Sequence, residues 1–190
     1  AWDVEVNTVG WYGGKQDQYA SAYGGMNLIE FNNKVKVTPL PRDQAENLLF
    51  SMVLVYIGGS RESRDIQKGF KELTDIQIKA LDKIKTRVIT AKHYIGSGFI
   101  QELGGLMHEA WELKKESNKG VGNFKIDEVY DYARKNGALG GKILGAGGAG
   151  YMLFIVKPED KERFIKKMRE RDLSDIDFSI DWTGVEARIL

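Results

Sequence analysis

Cysteine is absent from the 190 residues, and that removes disulfide scaffolds, thiolate metal sites, iron–sulfur clusters and cysteine nucleophiles together. Histidine is scarce: His93 and His108 are the two in the chain, too few for a His-rich metal site. Proline occurs three times, and no Pro/Ser-rich linker, low-complexity tract or fixed-period repeat interrupts the sequence. Neither sign of charge dominates. The 28 Lys and Arg stand against 27 Asp and Glu, which excludes a strong polyanion binder on charge alone. Long hydrophobic runs are missing too: the longest, Leu48–Ile57, is broken by Ser51 and falls short of the about 20 residues that a membrane span takes. The opening AWDVEVNTVG is neither a basic nor an apolar leader, and it begins on Ala rather than Met, as a processed product, a trimmed piece or a fragment would. The expectation is a cytoplasmic protein that engages neither membrane nor nucleic acid.

Glycine is in surplus, at 22 residues, and seven of these fall within Gly137–Gly150. Hydrophobic residues make up 42% and charged residues 29%, a globular composition. The length suits one domain or two small ones.

Early segments read as strands. Trp2–Asn7 alternates apolar and polar residues. Gly24–Phe31 and Lys34–Leu40 flank Asn32-Asn33 as a hairpin, and Leu48–Ile57 reads as a buried strand closed by Gly58-Gly59. Helical spacing of apolar residues follows over Glu72–Lys92, Ser97–Lys115 and about Ile126–Lys135, with Gly137 as a C-cap candidate. A glycine-dense turn then enters a strand, Tyr151–Val156. Pro158 opens a helix to about Arg171, acidic early and basic late. Asp177–Trp182 and Val185–Leu190 would close the chain as a hairpin. The fold class this predicts is α+β, an antiparallel sheet with helices packed on one face.

Gly145, Gly147 and Gly150 satisfy G-x-G-x-x-G, but a strand follows where a dinucleotide fingerprint needs a helix. A Walker loop fails as well, because Gly141-Lys142 is followed by Ile143. Two readings stay open for Gly145–Gly150. One is a tight turn with close backbone approach; the other, which six small residues in succession favour, is a concave array of backbone N–H groups near a phosphate. In Gly13-Gly14-Lys15-Gln16-Asp17-Gln18-Tyr19, Asp17 reads as the N-cap of a short helix, the commoner role, or as a carboxylate that orients a substrate hydroxyl. His108 and Glu109 do not make an H-E-x-x-H site, since Glu112 holds the last position. His108 reads as a partly exposed helix residue, Trp111 and Tyr94 as core or interface aromatics, and Lys161–Arg171 as a solvated helix face.

Two long segments in order carry a resemblance. GKQDQYASAYGGMNLIEF (Gly14–Phe31) resembles the segment around the catalytic aspartate of the GHMP kinases, in particular the sugar branch that contains D-glycero-D-manno-heptose 7-phosphate kinases. GALGGKILGAGGAGYMLFIV (Gly137–Val156) resembles the third glycine motif of that family, with Ala149 where a glycine is usual. HEAWELKK (His108–Lys115) and YDYARKNGALGGK (Tyr130–Lys142) are similar to the same branch, whereas Val9–Gly13 departs from it. The resemblance implies phosphoryl transfer from ATP with Mg²⁺ to a sugar or sugar-phosphate hydroxyl, in a domain of ferredoxin-like fold. Asp17 maps to the catalytic base or orienting carboxylate. Gly145, Ala146, Gly147 and Gly148 would approach substrate and phosphates by backbone, with Lys15 beside the phosphate. Ser60, Arg61 and Arg64 would meet the sugar phosphate, although a solvated charge for Lys15 and a surface loop for those three are the plainer readings.

The Pro-x-x-x-Gly-Leu-Gly-Ser-Ser-Ala type ATP loop of the family does not occur in the sequence. The chain therefore resembles the C-terminal half of such a kinase. Residues 1–41 would be the tail of the N-terminal catalytic domain and 42–190 the C-terminal domain. The missing N-terminal half is the implied partner, turnover by this chain alone is not expected, and a homodimer stays open. The competing class is a non-catalytic α+β domain holding a small ligand or partner at the glycine loop. A ferredoxin-like nucleic-acid module is poorer, lacking a basic sheet face and stacking aromatics.

Overall fold

The computed structural model describes residues 2–10, 14–59, 73–117, 120–145 and 147–186. Two compact units emerge, Ala1–Leu49 with Phe178–Leu190, and Phe50–Asp177.

The first unit begins with a correction. The alternating segment Trp2–Asn7 is helical, with a wide π-type turn over Val4–Thr8 closed by the Val9 N–H on the Val4 carbonyl at 2.9 Å. Among the described residues no strand pairs with it, so its backbone groups are satisfied locally. Asn7 Nδ2 also reaches the Asp3 carboxylate, four residues back, as helical spacing allows. Helix α1 spans Gln16–Tyr23 and stops at Gly24, whose φ of +62° suits glycine. Strands β1 (Asn27–Phe31) and β2 (Val35–Pro39) form the expected hairpin, with Phe31 opposite Val35. Helix α2 covers Arg42–Phe50. The strand expected from Leu48 therefore starts only after Ser51. Ala45 and Leu48 lie three apart on the buried side of α2, a helical rather than a strand period.

The closing hairpin is also corrected as far as it is described: residues 177–186 hold no strand, and 187–190 lie outside the described residues. They pair with the α1–β1 corner instead. Gly25 N–H donates to the Asp181 carbonyl and Val185 N–H to the Ala22 carbonyl. A Cβ on Gly24 would sit 2.5 Å from Gly184 N, so the two backbones meet where neither residue has a side chain.

The second unit runs β3 (Met52–Gly58), α3 (Asp75–Ser97), α4 (Ile100–Ser117), α5 (Phe124–Lys135), β4 (Ala138–Ile143), β5 (Gly150–Val156), α6 (Lys161–Arg169), β6 (Ser174–Ile176). The sheet order is β4-β5-β3-β6 with every neighbour antiparallel, a split β-α-β arrangement of ferredoxin type whose first crossover holds α3, α4 and α5 among the described residues. Val53, Val55 and Ile57 alternate onto one face beside Met152, Phe154 and Val156. That face meets Trp111 of α4, Ile126, Val129, Tyr130 and Ala133 of α5, and Phe164 and Met168 of α6. Aromatic rings chain through this core, from Trp111 to Tyr130, Phe154 and Phe164, with centroids 5.6–6.1 Å apart. Trp111, 1% exposed, is a core residue as expected.

The glycine segment is not one loop. Gly140 and Gly141 lie on β4. A Cβ on Gly140 would fall 1.9 Å from the Gly104 carbonyl oxygen of α4, and one on Gly141 would strike the Leu153 carbonyl and the Phe154 ring at 2.6 Å. The missing side chains let a helix backbone lie directly on an edge strand. Gly105, the next residue of α4, is exposed and has no atom within 4 Å of a built Cβ. Gly140→Ala is expected to lower the unfolding free energy by about 1–3 kcal/mol, and Gly105→Ala to raise it by roughly 0.5–1 kcal/mol. Urea denaturation of the two variants checks the opposite signs.

Candidate functional site

Two loci, one in each unit, carry the residues singled out by sequence. In the first, Lys15 occupies the N-cap of α1 without a side-chain cap, and Asp17 stands in the first helical turn. The N-cap reading of Asp17 is therefore corrected by two positions. Its carboxylate is exposed, at the helix end where peptide dipoles favour an anion, and it receives Gln16 Nε2 at 3.4 Å. Lys15 is also exposed, with Nζ 4.4 Å from the centre of the Trp2 ring. The next two residues fix the helix: Gln18 Nε2 donates to the Glu5 carboxylate, while Tyr19 stacks on Tyr23 and meets the Phe31 ring edge-on at 5.7 Å.

The second locus is the turn from β4 into β5. Its base is closed by Leu144 N–H on the Tyr151 carbonyl at 2.8 Å and by the pairing of Gly150 with Gly58. Gly145 is exposed, with φ +66° and open space where a Cβ would be. Gly147 is buried at φ +106°, and a Cβ there would lie 2.9 Å from the Val121 carbonyl oxygen. Gly148, at φ +85°, sends its N–H to that same carbonyl at 3.0 Å, and its own carbonyl accepts Asn123 Nδ2 at 2.9 Å. Both peptide groups of Gly148 are thus engaged inside the protein. Ala146, Ser60, Arg61 and Arg64 lie outside the described residues.

Asn123 and Val121 escaped the sequence reading. An Asn ahead of the periodic run FKIDEVYDYARK is a legible N-cap signal. Its second bond, to a residue 25 positions later, leaves no mark at sequence level.

Charge near this locus is arranged by α4. Lys115 Nζ pairs with Glu112 at 3.0 Å and Asp127 at 3.1 Å. Burial pulls its pKa down, but those hydrogen bonds outweigh burial and hold it above the ordinary lysine value. Lys114 is different. Burial first, and the like charge of Lys142 on β4 second, lower its pKa to about 8. Tyr130 is pushed up to about 12, chiefly by burial, and its hydroxyl meets His108 Nδ1 at 2.9 Å. His108 is half-buried on α4, close to the expectation of a partly exposed helix residue. The basic run of α6 is a solvated face, with Lys167 on Glu170, Arg169 on Asp175 and Arg171 on Glu128 at 2.6–3.0 Å.

A lysine whose folded pKa lies below its unfolded value binds fewer protons when folded, so it weakens the fold most below pH 8 and ceases to do so as pH approaches 10.5. Lys114→Met is expected to raise the melting temperature at pH 7, and the advantage is expected to shrink steadily between pH 8 and 10.5. Melting curves across that window check it.

An antiparallel sheet in split β-α-β order, covered by helices and carrying a glycine turn between its hairpin strands, is the architecture found in the C-terminal domains of a family of small-molecule kinases. Residues 91–172 match the family model described as GHMP kinases C terminal, and the chain carries a GHMP kinase C-terminal domain. It is 34% identical to the D-glycero-alpha-D-manno-heptose 7-phosphate kinase of Campylobacter jejuni, over 98% of this chain and 57% of that protein. Among solved structures, a D-glycero-D-manno-heptose 1-phosphate kinase from Bacteroides thetaiotaomicron superposes with a TM-score of 0.69 at 32% identity, over 96% of this chain and 51% of that one. The mevalonate kinase of L. major, solved with R-mevalonate, gives a TM-score of 0.67 at 22% identity, over 87% and 52%, and shows the shared fold. The chain spans about half the length of these relatives.

Proposed function

We propose that this chain is the C-terminal part of an ATP-dependent sugar or sugar-phosphate kinase, in which Asp17 orients or deprotonates the accepting hydroxyl. The 34% identity to a heptose 7-phosphate kinase, extending over 98% of the chain, is the observation that carries the reading. The exposed carboxylate of Asp17 supports it: no internal cation neutralises it among the described residues, and α1 fixes its direction. Phosphoryl transfer asks a protein for positioning and charge stabilisation rather than covalent chemistry, and a carboxylate that accepts a hydroxyl proton is one such element.

Gly145 is the part of the glycine turn where a phosphorylated ligand approaches the backbone, because Gly148 has spent its peptide groups internally and Gly147 is buried. The family resemblance also assigns Ala146, Lys15 and Arg61 to the phosphate; Ala146 and Arg61 lie outside the described residues. ATP is the phosphoryl donor and sits mainly against an N-terminal half that this chain lacks. Mg²⁺ is the expected companion of ATP. Among the described residues no group of three His, Asp or Glu is placed to hold a cation, and no step is assigned through one. The enzyme would work in the cytoplasm, and this chain alone would not turn over.

A coupled ADP-release assay with ATP and D-glycero-α-D-manno-heptose 7-phosphate tests the reading in the full-length protein. Asp17→Asn is expected to lower kcat by about 10²–10⁴ while leaving KM close to the parent value. An unchanged kcat would remove Asp17 from the chemistry.

A further inference from the structure

The side chain of Asn123 does two things at once. Its Oδ1 accepts the Ile126 N–H at 3.0 Å and so caps α5. Its Nδ2 donates to the Gly148 carbonyl at 2.9 Å. The first bond fixes which end of the amide is oxygen, since only the oxygen can accept from a backbone N–H. The nitrogen is then the group directed at the glycine turn.

Neighbouring contacts make the coupling stiff. Two residues before Asn123, the Val121 carbonyl accepts the Gly148 N–H at 3.0 Å, and Val121 itself is fully buried. Gly122 lies against the Lys115 stem, with a built Cβ 3.4 Å from Lys115 Cδ, and Lys115 is tied to Asp127 in the first turn of α5. Segment 121–123 is therefore clamped between α4 and α5 and passes its position to the turn through two hydrogen bonds on the one peptide unit pair of Gly148. The turn's own residues favour no single conformation: Gly145, Gly147, Gly148 and Gly150 all take positive φ, and glycine gives up the most conformational freedom on ordering.

We propose that Asn123 is a positioning residue for phosphoryl transfer: by bonding the Gly148 carbonyl while capping α5, it sets the conformation in which the glycine turn presents Gly145 to the phosphorylated ligand. The inference rests on the reading of that turn as the phosphate-proximal element. Nothing in it requires Asn123 to touch substrate.

Asp and Ser cap helices about as well as Asn but lack the Nδ2 donor. Asn123→Asp in addition turns a carboxylate toward the Gly148 carbonyl, two acceptors face to face. Hydrogen exchange, thermal melting and steady-state kinetics on the full-length protein separate the possibilities, with ATP and D-glycero-α-D-manno-heptose 7-phosphate as substrates. Asn123→Asp is expected to speed exchange of the Gly148 amide about tenfold or more while the Ile126 amide and the melting temperature stay near the parent. Its kcat/KM is expected to fall about tenfold or more, with Asn123→Ser changed in the same direction but less. Unchanged Gly148 exchange in both variants would overturn the coupling itself, whatever the kinetics. Faster exchange with unchanged kcat/KM would leave the coupling standing and overturn the positioning role alone, the placement of the turn at the phosphate being a separate matter. Loss of protection at Ile126 together with Gly148 would reduce Asn123 to a helix cap and overturn the proposal.

Discussion

Helix α4 lies on strand β4 at a crossing where Gly104 and Gly140 carry no side chain, and much of the second unit depends on that contact. A methyl group on Gly104 would fall 2.3 Å from Leu139 Cβ, and one on Gly140 would fall 1.9 Å from the Gly104 carbonyl oxygen. Backbone approach of this kind places α4 about one side chain nearer the edge strand than an ordinary helix–sheet contact would. Trp111 can then enter the core one to two turns later, against Tyr130, and Tyr130 can pack on Phe154. The bulge between Ala138 and Gly140 belongs to the same contact: it shifts the register by one, so that Gly141 rather than Gly140 stands opposite Phe154 while Gly140 faces α4.

From that edge the chain runs directly into the glycine turn, so the constraint that fixes β4 also fixes one root of the turn. The other root is the Gly58–Gly150 pairing in the sheet. Between the roots, segment 121–123 supplies the missing walls, one carbonyl and one carboxamide. The turn is thus a small-residue bridge held at its ends by a sheet and in its middle by a helix cap. The proposed approach of a phosphorylated ligand would draw on rigidity of this sort, because positioning contributes more to phosphoryl transfer than any single strong contact.

The other locus is built differently. Helix α1 is short and lies on aromatic rings, Tyr19 against Tyr23 and Phe31, with Gln18 anchored on Glu5. Asp17 is left at its exposed end, flanked by Lys15, whose charge rests on the Trp2 ring. The Asp17 carboxylate is open to solvent at the start of the helix, as the proposed contact with a hydroxyl requires.

Periodicity in the sequence reached the helices of the second unit, the strand Tyr151–Val156, the first hairpin and the α+β class, because each rests on which face of a local element is apolar. It failed where local pattern and pairing disagree. Trp2–Asn7 alternates like a strand but has no described neighbour to pair with. Leu48–Phe50 is apolar enough for a strand yet finishes a helix, and Asp181 and Val185 bond the α1–β1 corner. The two long motifs located Asp17 and the glycine segment in the chain, since identity and order of residues are all that such a likeness needs. Only the tertiary structure divided that segment into packing glycines at Gly140 and Gly141 and a turn at Gly145–Gly148. The division depends on what lies across from each residue, the α4 backbone, the Phe154 ring, the Val121 carbonyl and the Asn123 amide, and those neighbours are brought there by folding from 13 to 36 positions away.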